Sequence, residues 1–180
     1  MTGSRIPFSG ARLLQVTGDT GHLLRYSRPM TSPTKSDLAG QTAPNPPEGF
    51  EESTNRGPFT THNGPFFHRI DADGSFLHGF RAAEQHCNGM GIVHGGLVTA
   101  FADGLMGTAV WRETQIVGLT IRLNADFLSI AKVGDWVEGS ATVTRATRSV
   151  AFVEAHVSVG SRPILHATGV FKLMPRHKKK

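Results

Sequence analysis

The amino-acid sequence predicts an α+β domain in which one curved antiparallel sheet wraps around a single central helix. A long segment over residues 95–110 is almost uncharged and has the apolar spacing of a helix buried on most of its circumference. The segments after it alternate apolar and polar residues with period two, which is typical of strands with one buried face. Because helices do not alternate with strands, a parallel α/β fold is disfavoured.

Before the helix, the sequence predicts a hairpin. Two strand-like segments, 66–72 and 75–82, are joined by Asp73-Gly74, a dipeptide that favours tight turns. The helix itself carries two apolar rows at i, i+4 spacing, one of Val98, Ala102, Met106 and Val110 and one of Leu97, Phe101, Leu105 and Ala109. One such helix is enough to cover the concave face of a curved sheet.

Four strands are predicted after the helix, joined by short polar turns. Their apolar faces are Leu119, Ile121, Leu123, Ala125 and Phe127; Val137, Gly139, Ala141 and Val143; Val153, Ala155, Val157 and Val159; and Leu165, Ala167, Phe171 and Leu173. In the first of these strands, alternation puts Thr120, Arg122, Asn124 and Asp126 on the opposite, polar face.

Length and composition indicate one folded domain over residues 58–174. The chain has 180 residues and 38% hydrophobic residues, enough to bury a core. Residues 1–57 lack periodicity and are rich in turn residues, so we expect a disordered leader, either an over-extended gene start or an organelle-targeting segment on an otherwise cytoplasmic protein. Residues 175–180 form a basic tail.

Charge and cysteine content exclude several classes of protein. The net charge of +5 divides into +3 over residues 1–30, +4 over 176–180 and −2 over the rest, whereas a nucleic-acid-binding domain carries its basic charge on the folded body. The single cysteine, Cys87, rules out an intramolecular disulfide. No apolar run approaches the roughly 20 residues that span a bilayer.

Asp103 is a carboxylate in the middle of the apolar helix. Burying an unpaired carboxylate costs several kcal/mol, which marks Asp103 as a candidate site residue, although an acid at a polar seam of the helix would give the same pattern. A glycine-rich approach, from Asn88 to His94, Gly95 and Gly96, precedes the helix. Free amides at such a start bind an oxyanion or a phosphate, and the alternative is an ordinary loop-to-helix turn.

The spacing of Gly95 and Asp103 predicts a dimer. The two residues are eight apart, which is roughly 12 Å along a helix at about 1.5 Å per residue. Groups that act on one carbonyl carbon lie within about 3 to 3.5 Å of the reacting atoms. If both act on one carbonyl, they come from different copies of the chain, and a two-fold dimer with interfacial sites follows.

The order of hairpin, glycine-rich turn, His94-Gly95-Gly96, helix and antiparallel run resembles the hot-dog-fold acyl-CoA thioesterases of the PaaI-like branch over residues 60–174. The matching residues are Asn88, His94, Gly95 and Asp103, followed by 118–120 and 131–135. The resemblance implies hydrolysis of an acyl-CoA by a homodimer or a dimer of dimers. It implies no cofactor, since CoA is part of the substrate.

The resemblance also implies roles for individual residues. The Gly95 amide would bind the thioester carbonyl, while Asp103 of the neighbouring subunit would be the general base or the nucleophile. Asn88 would position water or the carbonyl, His94 would support the loop or the thioester, and Thr120 would assist the attacking water. Further substrate contacts are assigned to Gly96 and to the turn residues Arg145 and Arg148, two arginines that could equally be solvent-exposed.

Other functions are less well matched by the residues. The group His86, Cys87 and His94 fits no common zinc spacing, so no metal site is predicted, and a lone buried cysteine behaves mostly as a small hydrophobe. A hot-dog enoyl-CoA hydratase would carry an Asp and a His five apart on the approach to the helix, and that pair does not occur. A non-catalytic acyl-CoA-binding module would lack Asp103.

Overall fold

In the computed structural model, which describes residues 46–54 and 57–174, seven antiparallel strands form one open sheet that curves around one long helix. The strands are β1 (Glu51–Glu52), β2 (Phe67–Ile70), β3 (Phe76–Arg81), β4 (Gly118–Phe127), β5 (Trp136–Ala146), β6 (Val150–Val159) and β7 (Arg162–Leu173). The helices are α1 (Pro58–His62) and α2 (Gly95–Thr114), with a 3-10 turn at Glu84–His86. The predicted architecture is confirmed.

The predicted helix is α2, and both of its apolar rows lie against the sheet. Val98, Ala102, Met106 and Val110 are all buried, as are Phe101 and Leu105 of the second row. The helix ends at Gln115, whose left-handed φ of 56° lets its amide donate to the carbonyl of Trp111. Among the described residues, no helix is both long and apolar enough to cross a membrane.

Two glycines of the sheet allow α2 to approach closely. A Cβ added at Gly139 of β5 would lie 2.8 Å from Leu105, and one at Gly169 of β7 would lie 2.9 Å from Met106. Real Cβ atoms do not approach that closely, so the helix rests on bare backbone at these points. The strand order is β1-β2-β3-β5-β6-β7-β4, which leaves β1 and β4 as the two edges.

Ordered structure begins earlier than the sequence predicts. The expected leader covers residues 1–57, but Glu51–Glu52 pairs with β2, and Phe50 is buried with its ring 5.0 Å from that of Trp136. The sequence signal for β1 is weak, because a strand of two residues shows no visible alternation. Residues 1–45 and the basic tail 175–180 lie outside the described residues.

The predicted buried face of β4 is wrong for most of its residues. Leu119, Ile121 and Phe127 are 61%, 60% and 56% exposed, and among the described strands β4 is an edge strand paired with β7 alone. A register shift between Thr120 and Arg122 places one extra residue in β4. Such a bulge changes which side chains face the helix, so period-two alternation through Thr120 does not hold.

Candidate active site

The loop that leads into α2 is held by its own hydrogen bonds. The Asn88 side-chain oxygen accepts from the amides of Met90 at 2.9 Å and Ile92 at 3.4 Å. Gly91 supplies the positive φ of 69° that the turn requires. The amide of His94 donates to the carbonyl of His86 at 2.8 Å. Asn88 therefore shapes the loop through its oxygen atom.

His86 holds the same loop through its carbonyl, which accepts from the His94 amide, and it was not predicted as a site residue. It is 3% exposed, its Nδ1 accepts from the amide of Ala83 at 3.0 Å, and its ring meets Phe80 edge-on. Burial lowers the pKa of His86, so the imidazole is neutral near pH 7. Burial also raises the pKa of the adjacent Cys87 thiol, which disfavours a thiolate nucleophile.

The first turn of α2 leaves one amide for a ligand. His94 is the N-cap, and its Nδ1 accepts from the amide of Gly96 at 2.9 Å. Because Nδ1 accepts, the neutral ring carries its proton on Nε2. The Gly96 amide is thus occupied by His94, whereas the amide of Gly95 meets no acceptor among the described residues. Gly95 rather than Gly96 is the donor that remains.

Asp103 lies on the side of α2 that adjoins β4. The hydroxyl of Thr120 donates to Asp103 Oδ1 at 2.7 Å. Asp103 is half-buried rather than buried, and its carboxylate is hydrogen-bonded, as the alternative of an acid at a polar seam of the helix expects. The bulge in β4 turns Thr120 towards the helix, and this pairing explains how an acid is tolerated in an apolar helix.

An apolar pocket runs along α2 between the turn that carries Gly95 and the turn that carries Asp103. It is lined by Phe59 and Thr60 of α1, Phe66, His78 of β3, and Leu97, Ala100, Phe101 and Gly104 of α2. Sequence reasoning missed α1 because five residues show no periodicity, and Pro58 at its start was the only signal. His78 could have been found, since it occupies the same strand phase as Phe76 and Phe80.

The predicted site residues fall into two groups at opposite ends of β4. Asp103 and Thr120 lie near the Gly118 end, whereas Gly95 lies near the other end, where an added Cβ would be 3.3 Å from the Phe127 ring. Arg148 lies in the β5–β6 turn, whereas Arg145, predicted in that turn, lies near the end of β5. Both are at the Gly118 end of β4, because the carbonyl of Ser149 accepts from the amide of Leu173, the β7 residue paired with Gly118. One chain therefore keeps both arginines away from its own Gly95.

Comparison with known proteins identifies relatives for most of the described chain. The family model described as the thioesterase superfamily matches residues 90–164. The Pseudomonas aeruginosa protein called "Putative esterase PA0474" is 38% identical over 131 residues, which cover 72% of this chain and 98% of that protein. Human acyl-coenzyme A thioesterase 13 is 27% identical over 109 residues, covering 60% of this chain and 74% of the human protein.

Solved structures share the fold. A phenylacetic acid degradation-related protein from Ralstonia eutropha superposes with a TM-score of 0.57 at 25% identity, covering 66% of this chain and 92% of that one. A Bacillus halodurans protein solved with CoA superposes with a TM-score of 0.61 at 19% identity, covering 69% of this chain and 83% of that one. These likenesses confirm the predicted hot-dog fold.

Proposed function

The chain belongs to the thioesterase superfamily, and we propose that it hydrolyses an acyl-CoA to the free acid and CoA at sites shared between two copies of itself. The similarity to an acyl-coenzyme A thioesterase and to a structure solved with CoA supports a CoA thioester as the substrate class. A thioester is an activated acyl group, so one oxyanion donor and one base are sufficient for its hydrolysis by water.

The observation that carries this proposal is the separation of the donor from the acid. The unpaired Gly95 amide and the Thr120-bound carboxylate of Asp103 lie on the same helix, roughly 12 Å apart along its axis at about 1.5 Å per residue. A single carbonyl carbon needs both within about 3.5 Å. The donor and the acid of one reaction centre therefore belong to different copies.

The free edge of the sheet offers a way to bring two copies together. β4 has no partner beyond β7 among the described strands, and large apolar side chains are exposed along it. Exposed apolar strips of this kind mark association surfaces. In a two-fold antiparallel pairing of β4 with its copy, the Gly118 end of one strand lies beside the Phe127 end of the other.

That pairing would complete the site. The Gly118 end carries Asp103 with Thr120, and the Phe127 end carries Gly95. Arg145 and Arg148 lie at the Gly118 end as well, so they too would approach the partner's donor, where they could meet the phosphates of CoA. A dimer is the minimum assembly that this geometry requires, and a dimer of dimers is compatible with it.

The chemical steps follow from the groups at the two ends of β4, the Gly95 amide and the Asp103 carboxylate. The Gly95 amide donates to the thioester oxygen and stabilises the negative charge that develops there. Thr120 fixes Asp103 through Oδ1, which leaves Oδ2 of the partner subunit's Asp103 to take a proton from water as water adds to the carbonyl carbon. The tetrahedral adduct then collapses, the C–S bond breaks, and the sulfur leaves with a proton as CoA. Direct attack by the carboxylate, followed by hydrolysis of the anhydride, uses the same atoms.

The pocket beside α2 supports an apolar acyl group. Its walls are mainly aromatic and aliphatic side chains, including Phe59, Phe66 and Phe101, and it lies next to the turn of α2 that carries Asp103. An acyl chain whose carbonyl is at the site can extend into this space and bury its apolar surface there.

Replacing the acid tests the proposal. Asp103→Asn keeps the shape and the Thr120 contact but removes the base, so acyl-CoA hydrolysis, followed by release of the CoA thiol, should fall about 100-fold or more. Glu113→Gln removes one negative charge from an exposed position of the same helix and should leave turnover unchanged. Wild-type turnover in Asp103→Asn would refute the assigned role. Binding of acyl-CoA by the wild type without hydrolysis would favour a non-catalytic module.

A further inference from the structure

A second group of reactive side chains lies on the face of the sheet that points away from α2. Glu154 and His156 are on β6 and His166 is on β7, and their ligand atoms all lie within 4.8 Å of one another. The alternate residues Ala155 and Val157 are buried in the core, so Glu154 and His156 face outward. We refer to Glu154, His156 and His166 as the outer-face cluster. It takes no part in the proposed hydrolysis.

The sheet holds this cluster in register. Two neighbouring cross-strand rows contain it, one formed by Asp126, His166, His156 and Ser140 and the other by Asn124, Thr168, Glu154 and Thr142. Each row spans four hydrogen-bonded strands, so the backbone positions do not depend on a loop. The rows contain two carboxylates and neither Lys nor Arg. The next row contains Arg122 and Arg145, so the negative charge is local to Glu154 and Asp126.

The distances within the cluster approach those of a metal site. Glu154 Oε1 lies 2.8 Å from His166 Nε2 and 3.2 Å from His156 Nε2, so two imidazoles converge on one carboxylate oxygen. In tetrahedral zinc sites, bonds of about 2.0 to 2.1 Å separate ligand atoms by roughly 3.3 Å. The His156 side chain is 66% exposed and has room to rotate into that geometry.

Asp126 lies on the far side of His166. Its Oδ2 is 4.0 Å from His166 Nδ1, the nitrogen that does not face Glu154. In metal sites, a carboxylate beside the second ring nitrogen orients a ligating histidine and sets its tautomer. At 4.0 Å Asp126 does not hydrogen-bond to the ring. Rotation of its 80% exposed side chain would bring Oδ2 to Nδ1 and direct Nε2 of His166 towards a shared ion.

We propose that the outer-face cluster binds a divalent transition-metal ion of the zinc class through Glu154, His156 and His166, with water as the fourth ligand. Two imidazoles and one carboxylate favour such ions over Mg²⁺ and Ca²⁺, which take oxygen ligands. Since the ligands come from two paired strands, the ion links β6 to β7 and stabilises the folded chain by binding it in preference to the unfolded one.

The test uses Zn²⁺ alone on the full, untagged chain. Calorimetric titration should give a stoichiometry close to one Zn²⁺ per chain, and saturating Zn²⁺ should raise the Tm by about 5 °C or more. Mg²⁺ should have no comparable effect. The double variant His156→Gln with His166→Gln should lose the Zn²⁺-dependent rise in Tm, and Asp126→Asn should weaken binding about 10-fold. His62→Gln, a change of an exposed histidine at the end of α1, is the matched control.

Two outcomes would overturn the proposal. One is a wild-type Tm that Zn²⁺ leaves unchanged, and the other is a double variant that responds to Zn²⁺ like the wild type. Far-UV circular dichroism and the metal-free Tm establish that the double variant folds. If it does not fold, Co²⁺ bound to the wild-type chain decides the matter, because intense visible absorption indicates a tetrahedral site and the spectrum of hydrated Co²⁺ contradicts it.

Discussion

The two edges of the sheet differ in length, charge and exposed surface. At one edge, β1 has two residues, and both are exposed glutamates. At the other edge, β4 has ten residues and exposes Leu119, Ile121 and Phe127. A short charged edge resists pairing with another chain, whereas a long apolar edge favours it. We therefore expect association at the β4 edge and not at the β1 edge.

The difference matters because only the open edge adjoins the candidate base. Thr120, which binds Asp103, is part of β4. The β1 edge is held instead by local packing, in which Phe50 covers Trp136. We therefore expect hydrolysis to depend on the β4 edge and folding stability to depend more on the β1 side.

Charging the β4 edge should have the largest effect on hydrolysis. Leu119→Lys with Ile121→Lys should give a monomer on size-exclusion chromatography and lower acyl-CoA turnover about 100-fold or more, because each site then lacks its donor or its base. Both side chains are more than half exposed in the single chain, so the fold should survive. Glu51→Lys changes the net charge by the same amount on the opposite edge and should do neither. A fully active monomer would contradict the shared site.

Mixing two inactive variants tests whether the Gly95 donor and the Asp103 base of one site come from different copies. Gly95→Pro removes the donor hydrogen at a helix start that tolerates proline, and His94 already has the extended backbone that must precede one. Mixed with Asp103→Asn, random dimers should recover about a quarter of wild-type turnover, since half of them contain one intact site. Gly95→Ala adds a Cβ 3.3 Å from the Phe127 ring but keeps the amide, and it separates crowding from loss of the donor. Confirmed mixed dimers without recovery would rule out sharing.

The smallest effect on hydrolysis is expected at the β1 edge. Phe50→Ala removes a buried ring that contacts Trp136 and should lower the free energy of unfolding by about 3 kcal/mol, measured by urea denaturation. Turnover per folded molecule should stay near that of the wild type. Glu48→Ala, an exposed change two residues earlier, should alter neither quantity. A large loss of turnover without a loss of stability would mean that this edge also serves the site.

Much of the candidate site could be predicted because its signals are local. The glycines before α2, the position of Asp103 in an apolar helix, and the eight-residue offset between donor and acid are all visible in the sequence. The partners of those groups are not local. That His94 occupies the Gly96 amide, and that Thr120 turns towards Asp103, depends on side-chain orientation and on a one-residue bulge.

The sequence by itself determined the central helix and six of the seven strands, because periodicity is a property of consecutive residues. The helical rise between Gly95 and Asp103 likewise predicts, from the sequence alone, a site shared by two copies of the chain. Only the tertiary structure decided that β4 lies at an open edge of the sheet. It also decided that Arg145 and Arg148 lie near the Gly118 end of β4, whereas Gly95 lies near the Phe127 end. The convergence of Glu154, His156 and His166 is likewise a tertiary relation. Those relations join residues far apart in the chain, and strand order and register alone bring them together.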